Sequence, residues 1–337
     1  MTTAPTAPPQ TPPTTARHYA RLVADIGGTW ARFGLIEEAG DTDPKQIVVV
    51  RCEDHVNVAH AAAAYLRSQN AHVDAATLAV ACPVVADEIT LTNSAWRFSR
   101  RQLQEDLELG QLHVVNDFAA LAQAIPLIAP DQLRTLSIGQ PPAGRAPILV
   151  IGPGTGLGVS ALLPNGSGWQ AIEGEGGHRD LAATTSQEWQ LLGHLRQEFG
   201  HVSAERVLSG SGLVNLYQAF RAIDGLAPLP DLGASSVVER AVEGEPTALQ
   251  TTRTFSRLLG RIVGDATLIF GAVGGVYLGG GVLPRMAATF DVDIFLESLF
   301  DKGRFEGYLK AIPVHLILDP VAALRGAAQW STLRPRT

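Results

Sequence analysis

Cysteine is almost missing from this chain: Cys52 and Cys82 are the only two in 337 residues. Two thiols cannot build a disulfide framework, nor a cysteine-rich metal site by themselves. A reducing, cytoplasmic compartment is therefore expected. Charge is sparse as well, at 18% of residues against a usual share of about 25%. With 46% hydrophobic residues, that balance excludes an extended disordered protein and a coiled coil. The net charge of −7 and a pI near 5.7 argue against a polyanionic partner such as nucleic acid. Of 26 basic residues only Lys45, Lys302 and Lys310 are lysine, and no GxxxxGK[ST] occurs, which removes the Walker P-loop. There is no GxSxG and no Ser/His/Asp order for covalent hydrolysis, and no GxGxxG opening a dinucleotide-binding unit. One uncharged apolar run, ATLIFGAVGGVYLGGGVLP over 266–284, carries six glycines and ends in proline. It makes a poor spanning helix, and a helix end, a buried strand and a glycine turn are expected instead. The N-terminal MTTAPTAPPQTPPTTARHYA has neither apolar core nor basic head, so it reads as a disordered tail over 1–18 rather than a signal peptide or anchor.

What is present is length for about two domains, at roughly 150 residues each, and an alternation of strand-like and helical stretches that predicts an α/β protein. Strands are expected at 21–25, 32–37, 47–52, 77–82, 113–116, 148–151, 158–163, 275–278 and 314–318. Helices are expected at 58–69, 99–107, 118–124, 186–198, 212–223, 247–269 and 322–333. Within 187–199, Trp189, Leu192, Leu195 and Phe199 recur at three and four residues, which is one face of a helix. An internal echo matters more than any one element. LVADIGGTWARFGLI, from Leu22, is a strand, a Gly-Gly-Thr turn and a second strand; LVIGPGTGLGVSALL, from Leu149, repeats that layout. Two such hairpins, each opening an α/β half, suggest two related lobes with a ligand between them.

Both turns have the parts of an anion cradle. In Asp25-Ile26-Gly27-Gly28-Thr29 the glycines bring backbone N–H groups close to a phosphate, Thr29 adds a hydroxyl, and Asp25 can hold a metal ion or its waters. Gly154, Thr155 and Gly156 offer the same in the second hairpin; two plain β-turns are the bland alternative. Gly279, Gly280 and Gly281 form a turn without side chains, suited to a flat ring or simply to tightness. Asn116 and Asp117 stand where an apolar strand becomes a helix. That carboxylate can accept a hydroxyl proton and that amide can fix the hydroxyl, although the pair also suits helix capping. In Glu173-Gly174-Glu175-Gly176-Gly177-His178, Glu175 and His178 can point into one cavity, carboxylate and imidazole being common partners of sugar hydroxyls. Cys52, Cys82, His178 and His201 show no zinc spacing.

Taken together, LVADIGGTWARFGL, LAVACPV with LTNSAWRFS, VVNDFAALAQAIP, GPGTGLGVS, EGEGGH, HVSAERVLSGSGLVNLYQA, GGVYLGGGVLPR, and DKGRF with IPVHLI resemble the bacterial glucokinase family, in order from about Ala20 to Gly326. The resemblance implies a two-lobed actin-like ATPase (ribonuclease H-like) fold with the ligand cleft between lobes. It implies a small α/β domain of 19–117 plus 320–337 and a large one of 118–319. It implies an ATP-dependent hexose kinase: the γ-phosphoryl of ATP passes to the 6-hydroxyl of D-glucose, giving glucose 6-phosphate and ADP and feeding glycolysis. By position, Asp117 is the general base, and Asn93, Asn116, Asp117, Glu175, His178 and Glu205 bind glucose. Ala24, Asp25, Ile26, Gly27, Gly28 and Thr29 hold the triphosphate with Gly154, Thr155 and Gly156, while Gly279, Gly280 and Gly281 lie by the adenosine. Mg²⁺ is expected at Asp25, directly or through water, and the protein is expected to be a cytoplasmic homodimer without nucleic-acid or membrane partners. Asn93 and Glu205 rest on the resemblance alone. Trp30 follows GGT where asparagine is common in the family, Ala86 replaces a glycine and Ser211 a proline; none of these is a residue assigned to chemistry. A kinase for another hexose, or a catalytically silent sugar-binding regulator of the same fold, would share most of these motifs.

Overall fold

The computed structural model describes residues 17–91, 96–140, 142–166 and 168–330, and the chain is a mixed α/β protein built on two main sheets. The first holds β1 (Arg21–Ile26), β2 (Trp30–Ile36), β3 (Lys45–Arg51), β4 (Ala75–Val80) and β5 (Gln111–Asn116), in the order β3-β2-β1-β4-β5. The second holds β6 (Leu133–Ser137), β7 (Ile148–Pro153), β8 (Leu157–Asn165), β9 (Gly168–Ile172), β10 (Gly275–Leu278) and β11 (Val314–Ile317), in the order β6-β11-β10-β7-β8-β9. In each sheet an antiparallel hairpin, β1–β2 or β7–β8, is followed by two parallel strands on its inner side. The hairpin echo in the sequence is thus an echo of topology. The parallel strands β4 and β10 lie between neighbours on both sides, and they read as near-continuous apolar runs for that reason.

Helices α1 (Val58–Ser68) and α2 (Arg100–Asp106) belong to the first half. In α1, Asn57 caps the first turn by accepting the His60 N–H, and Val58, Ala61, Ala62 and Tyr65 form a buried stripe at helical spacing. Helix α3 (Asp117–Ala124) follows β5 directly, yet Phe118 and Leu121 pack with Ile148, Val150 and Leu162 of the second sheet. The second half adds α4 (Ser186–Phe199), α5 (Gly210–Ile223), α6 (Ala234–Val242), α7 (Pro246–Phe270), α8 (Val282–Arg285), α9 (Val292–Phe300), α10 (Glu306–Lys310) and α11 (Ala322–Trp330). Helix α11 follows the second sheet but packs Leu324, Ala327 and Ala328 on Val23, Ile36 and Ala79 of the first. The two halves are therefore joined by a reciprocal exchange of helices. Gly326 permits the crossing, since a Cβ there would lie 1.7 Å from the Ala120 carbonyl oxygen.

The run 266–284 is the end of α7, the buried strand β10 and a glycine turn, as expected from its composition, followed by the short α8. Among the described residues no helix is long and apolar enough to cross a membrane. One expectation is corrected. Arg17 and His18, read as tail, lie in a strand, Arg17–Tyr19, paired in parallel with Ala71–Val73; the buried Tyr19 ring anchors it. On α4 the inward face is Glu188, Leu191, Leu192 and Leu195, whereas Trp189 is 66% exposed. The reason is a partner distant in sequence: Arg261 grips Glu188 with both amino groups, at 2.9 and 3.0 Å, so a carboxylate takes the position that periodicity assigns to an apolar residue.

Candidate active site

The turns of both hairpins and the start of α3 converge on one cleft, lined by Gly27, Gly28, Asn116, Asp117, Gly154, Thr155, Gly156, Glu175, His178 and Glu205. The sequence also left some lining residues unassigned: Ala81, Cys82 and Leu91 from the first half, Phe118, and Leu157 to Val159 of β8. The local signal for the first of these was the end of an apolar strand, at which ligands of α/β sheets gather.

Asn116 does two things at once. Its side-chain oxygen accepts the N–H groups of Phe118 and Ala119, at 3.0 and 3.1 Å, and so caps α3. With that oxygen engaged, its amide NH₂ is the group left for a ligand. The capping and the ligand-binding readings of this residue are compatible. Asp117, the first residue of the helix, accepts the Phe118 N–H at 2.9 Å. Burial, reinforced by the negative charge of Asp25, pushes the Asp117 carboxyl up to about 7; the Phe118 N–H opposes this, and Glu175 adds to it. Asp25 is itself raised by burial, while Arg32 counteracts across the hairpin from 3.1 Å. The Asp25 and Arg32 pair follows from the register of β1 and β2, in which they face one another.

On the opposite wall, Glu175 and His178 are about half exposed, with His178 Nε2 3.8 Å from a Glu175 oxygen and 3.9 Å from Glu205 Oε1. Burial and the neighbouring Glu205 raise the Glu175 carboxyl, burial most, and His178 opposes them. The other Glu205 oxygen accepts the Leu157 N–H at 2.9 Å, and its own N–H donates to Gly177 O. Glu205 thus braces both the second glycine turn and the EGEGGH loop, leaving one oxygen toward the cleft. The site brings together Asn116, Asp117, Glu175, His178 and Glu205, which are scattered over ninety residues of chain.

Other residues fall elsewhere. Ala24 and Ile26 are fully buried in the core, and so frame the first turn without presenting side chains to a ligand. Thr29 is exposed at the tip of the first turn, outside the cleft lining, whereas the exposed Thr155 at the tip of the second belongs to it. Gly279 and Gly280 pack against the backbone of Gly152 and Pro153, behind the second turn, and with Gly281 they are absent from the cleft lining. Asn93 lies outside the described residues. Burial drives the Cys82 thiol up to about 11, with the carboxylates of Asp117 and Glu175 adding to it, so it is a neutral wall residue. A Cβ on Gly158 would sit 1.9 Å from the Phe118 ring, so glycine there lets the aromatic side chain close the floor of the cleft.

The chain is similar to known proteins over most of its length. The glucokinase family model matches residues 22–333. A glucokinase from Paramagnetospirillum magneticum is 45% identical over 315 residues, covering 91% of this chain and 96% of the relative. Among solved structures, a glucokinase from an Antarctic psychrotroph is 36% identical with a TM-score of 0.80, covering 93% of this chain and 99% of that one. A glucokinase from Balamuthia mandrillaris in complex with glucose shares the fold at 20% identity, with a TM-score of 0.79 and 94% coverage of both chains.

Proposed function

The chain belongs to the glucokinase family, and from that premise we propose that it moves the γ-phosphoryl of ATP to the 6-hydroxyl of D-glucose, with Asp117 as general base. The observation that carries this reading is Asp117 itself: a carboxyl raised to about 7, at a helix start, in a cleft lined by both glycine turns and by Glu175 and His178. A base works best with a pKa near the working pH, and the 6-hydroxyl needs an acceptor only as the phosphoryl leaves ATP. Asn116 NH₂, Glu175, His178 and the free Glu205 oxygen orient the sugar, joined by Asn93. Gly27, Gly28 and Thr29 with Gly154, Thr155 and Gly156 hold the phosphates; Gly279, Gly280 and Gly281 stand beside the adenosine.

Mg²⁺ suits the donor set. Asp25 is a hard oxygen ligand; burial raises its own carboxyl and its negative charge raises that of Asp117, so a cation beside it would relieve both. Asp25 would hold the ion directly or through water, and the ion when bound neutralises charge on the phosphates. Alignment supplies most of the acceleration, since effective molarities reach about 10⁵–10⁸ M, whereas a positioned base contributes roughly 10²–10⁴-fold.

The reading includes the two-lobed actin-like ATPase (ribonuclease H-like) fold, with 19–117 and 320–337 forming the small domain and 118–319 the large one. The reciprocal packing of α3 and α11 supports it, because these are the crossings about which two lobes would close to exclude water. It also includes a cytoplasmic homodimer, for which light scattering on the purified protein is the test. The enzymatic test is ATP-dependent phosphorylation of glucose, mannose, fructose, galactose, glucosamine and N-acetylglucosamine, with Mg²⁺ and a no-metal control. Preference for glucose is expected. Activity confined to another sugar would keep the mechanism and change the substrate; glucose binding without turnover would leave a silent sensor.

A further inference from the structure

We propose that His18, His72 and Asp74 form a binding site for a borderline divalent transition-metal ion such as Zn²⁺, at the end of the first sheet remote from the cleft. In the parallel pair Arg17–Tyr19 and Ala71–Val73, His18 stands directly opposite His72. Tyr19 and Val73 on the alternate positions are buried, so the two imidazoles share the outward face. Asp74 follows immediately. Its carbonyl oxygen accepts the N–H groups of Gly110 and Gln111, at 2.8 and 3.2 Å, which fixes its backbone. Its two carboxylate oxygens divide between the rings: Oδ2 lies 3.0 Å from His18 Nε2 and Oδ1 lies 3.3 Å from His72 Nε2. All three groups have ligand atoms within 4.8 Å of one another.

The donors lie close to the spacing of a tetrahedral first shell. Ligands about 2.0–2.1 Å from a zinc ion stand about 3.3–3.4 Å apart, so an ion fits between the donors with small side-chain adjustments. Two imidazole nitrogens and one carboxylate select zinc, cobalt, nickel or copper over magnesium, which demands oxygen ligands. Three protein ligands leave a fourth position for water. The cleft lies beyond the C-terminal ends of β1, β4 and β5, whereas this cluster precedes the N-terminal end of β4. A six-residue strand at about 3.3 Å per residue separates the two, roughly 20 Å. The ion would tie the strand Arg17–Tyr19 to the strand before β4, without touching the reaction.

The test is calorimetric titration of the full chain with Zn²⁺ in buffer that contains Mg²⁺, using the native protein and the variants His72→Asn, Asp74→Asn and, as a control, His60→Asn. His55 and His60 are the rival imidazole pair, with Nδ1 atoms 3.2 Å apart. One Zn²⁺ per chain is expected, bound at least about tenfold more weakly by His72→Asn and Asp74→Asn, and unchanged by His60→Asn. Co²⁺ in place of Zn²⁺ should give visible absorption of a low-symmetry, nitrogen-containing site, lost in His72→Asn. Glucose phosphorylation should remain native in all three variants. Absence of Zn²⁺ binding to the native chain overturns the proposal, as does equal affinity in the His72 and Asp74 variants.

Discussion

The hairpins β1–β2 and β7–β8 hold the same place in their sheets, and both end in glycine turns that face the cleft, yet they bring opposite chemistry to it. Aligned from Leu22 and Leu149, Asp25 of the first coincides with Gly152 of the second. Asp25 carries a carboxylate paired with Arg32. At Gly152 a Cβ would lie 2.0 Å from the Gly279 carbonyl oxygen, so no side chain fits. The path of the chain beyond the adjacent parallel strand decides the difference. In the first sheet Asp25 stands opposite Ala79 of β4, whereas after β10 the chain folds back as Gly279 and Gly280 over the second turn. One scaffold used twice therefore supplies charge from one half and contour from the other.

The largest expected effect comes from the charge-bearing half. Asp117→Asn should lower kcat by about 10²–10⁴-fold, while glucose affinity, measured by calorimetry, stays within about threefold. Near-native turnover would remove the base from the half to which the comparison assigns it. The same variant should be more stable than the native enzyme at pH 8. A carboxyl whose folded pKa is raised from 3.8 to about 7 binds its proton more tightly when folded. The stability it contributes is present below the unfolded pKa and is lost as pH rises through 7. The difference at pH 8 should be on the order of 4 kcal/mol and should vanish below pH 4 in thermal melts.

A reciprocal pair of substitutions sharpens the contrast. Gly152→Ala forces a methyl group into backbone, where no flexible side chain can yield, and should cost about 3 kcal/mol or more in denaturant unfolding. Asp25→Ala should leave stability within about 1 kcal/mol, because its partner Arg32 is part-exposed, but should cut kcat/KM by on the order of 10²-fold. If both variants lost only stability, or both only activity, the division between charge and contour would fail.

Much of this architecture was legible in the chain itself. The echo of LVADIGGT and GPGTGLG located the two hairpins because a glycine turn between apolar strands is a local pattern. Asn116, Asp117, Glu175 and His178 stood out because their chemistry departs from the apolar runs around them. What stayed hidden depends on contacts between distant segments. Trp189 is exposed because Arg261, on another helix, draws Glu188 inward. The strand Arg17–Tyr19 exists because Ala71–Val73 offers an edge to pair with. Glu205 braces the second turn through Leu157, forty-eight residues away in the chain. No periodicity within a window encodes such partners.

The electrostatic half of the comparison can be tuned without removing its base. Because Asp25 is the largest charge acting on Asp117, Asp25→Asn should lower the apparent pKa in the kcat/KM profile, moving the acid limb from near 7 to a lower pH. The native limb should fall with acidification because Asp117 accepts a proton only when ionised. An unshifted limb would assign the ionisation to another group. The contour half has its own small adjustment in Glu205→Gln. The amide oxygen can still accept the Leu157 N–H, so the second turn should keep its form and the melting temperature should change little. The oxygen facing His178 is replaced by, or loses charge to, an amide, and glucose KM should rise by about tenfold or less, with kcat nearly unchanged. A fall in stability instead would mean that the charge, rather than the acceptor geometry, holds the turn, and that the second half depends on electrostatics as the first does.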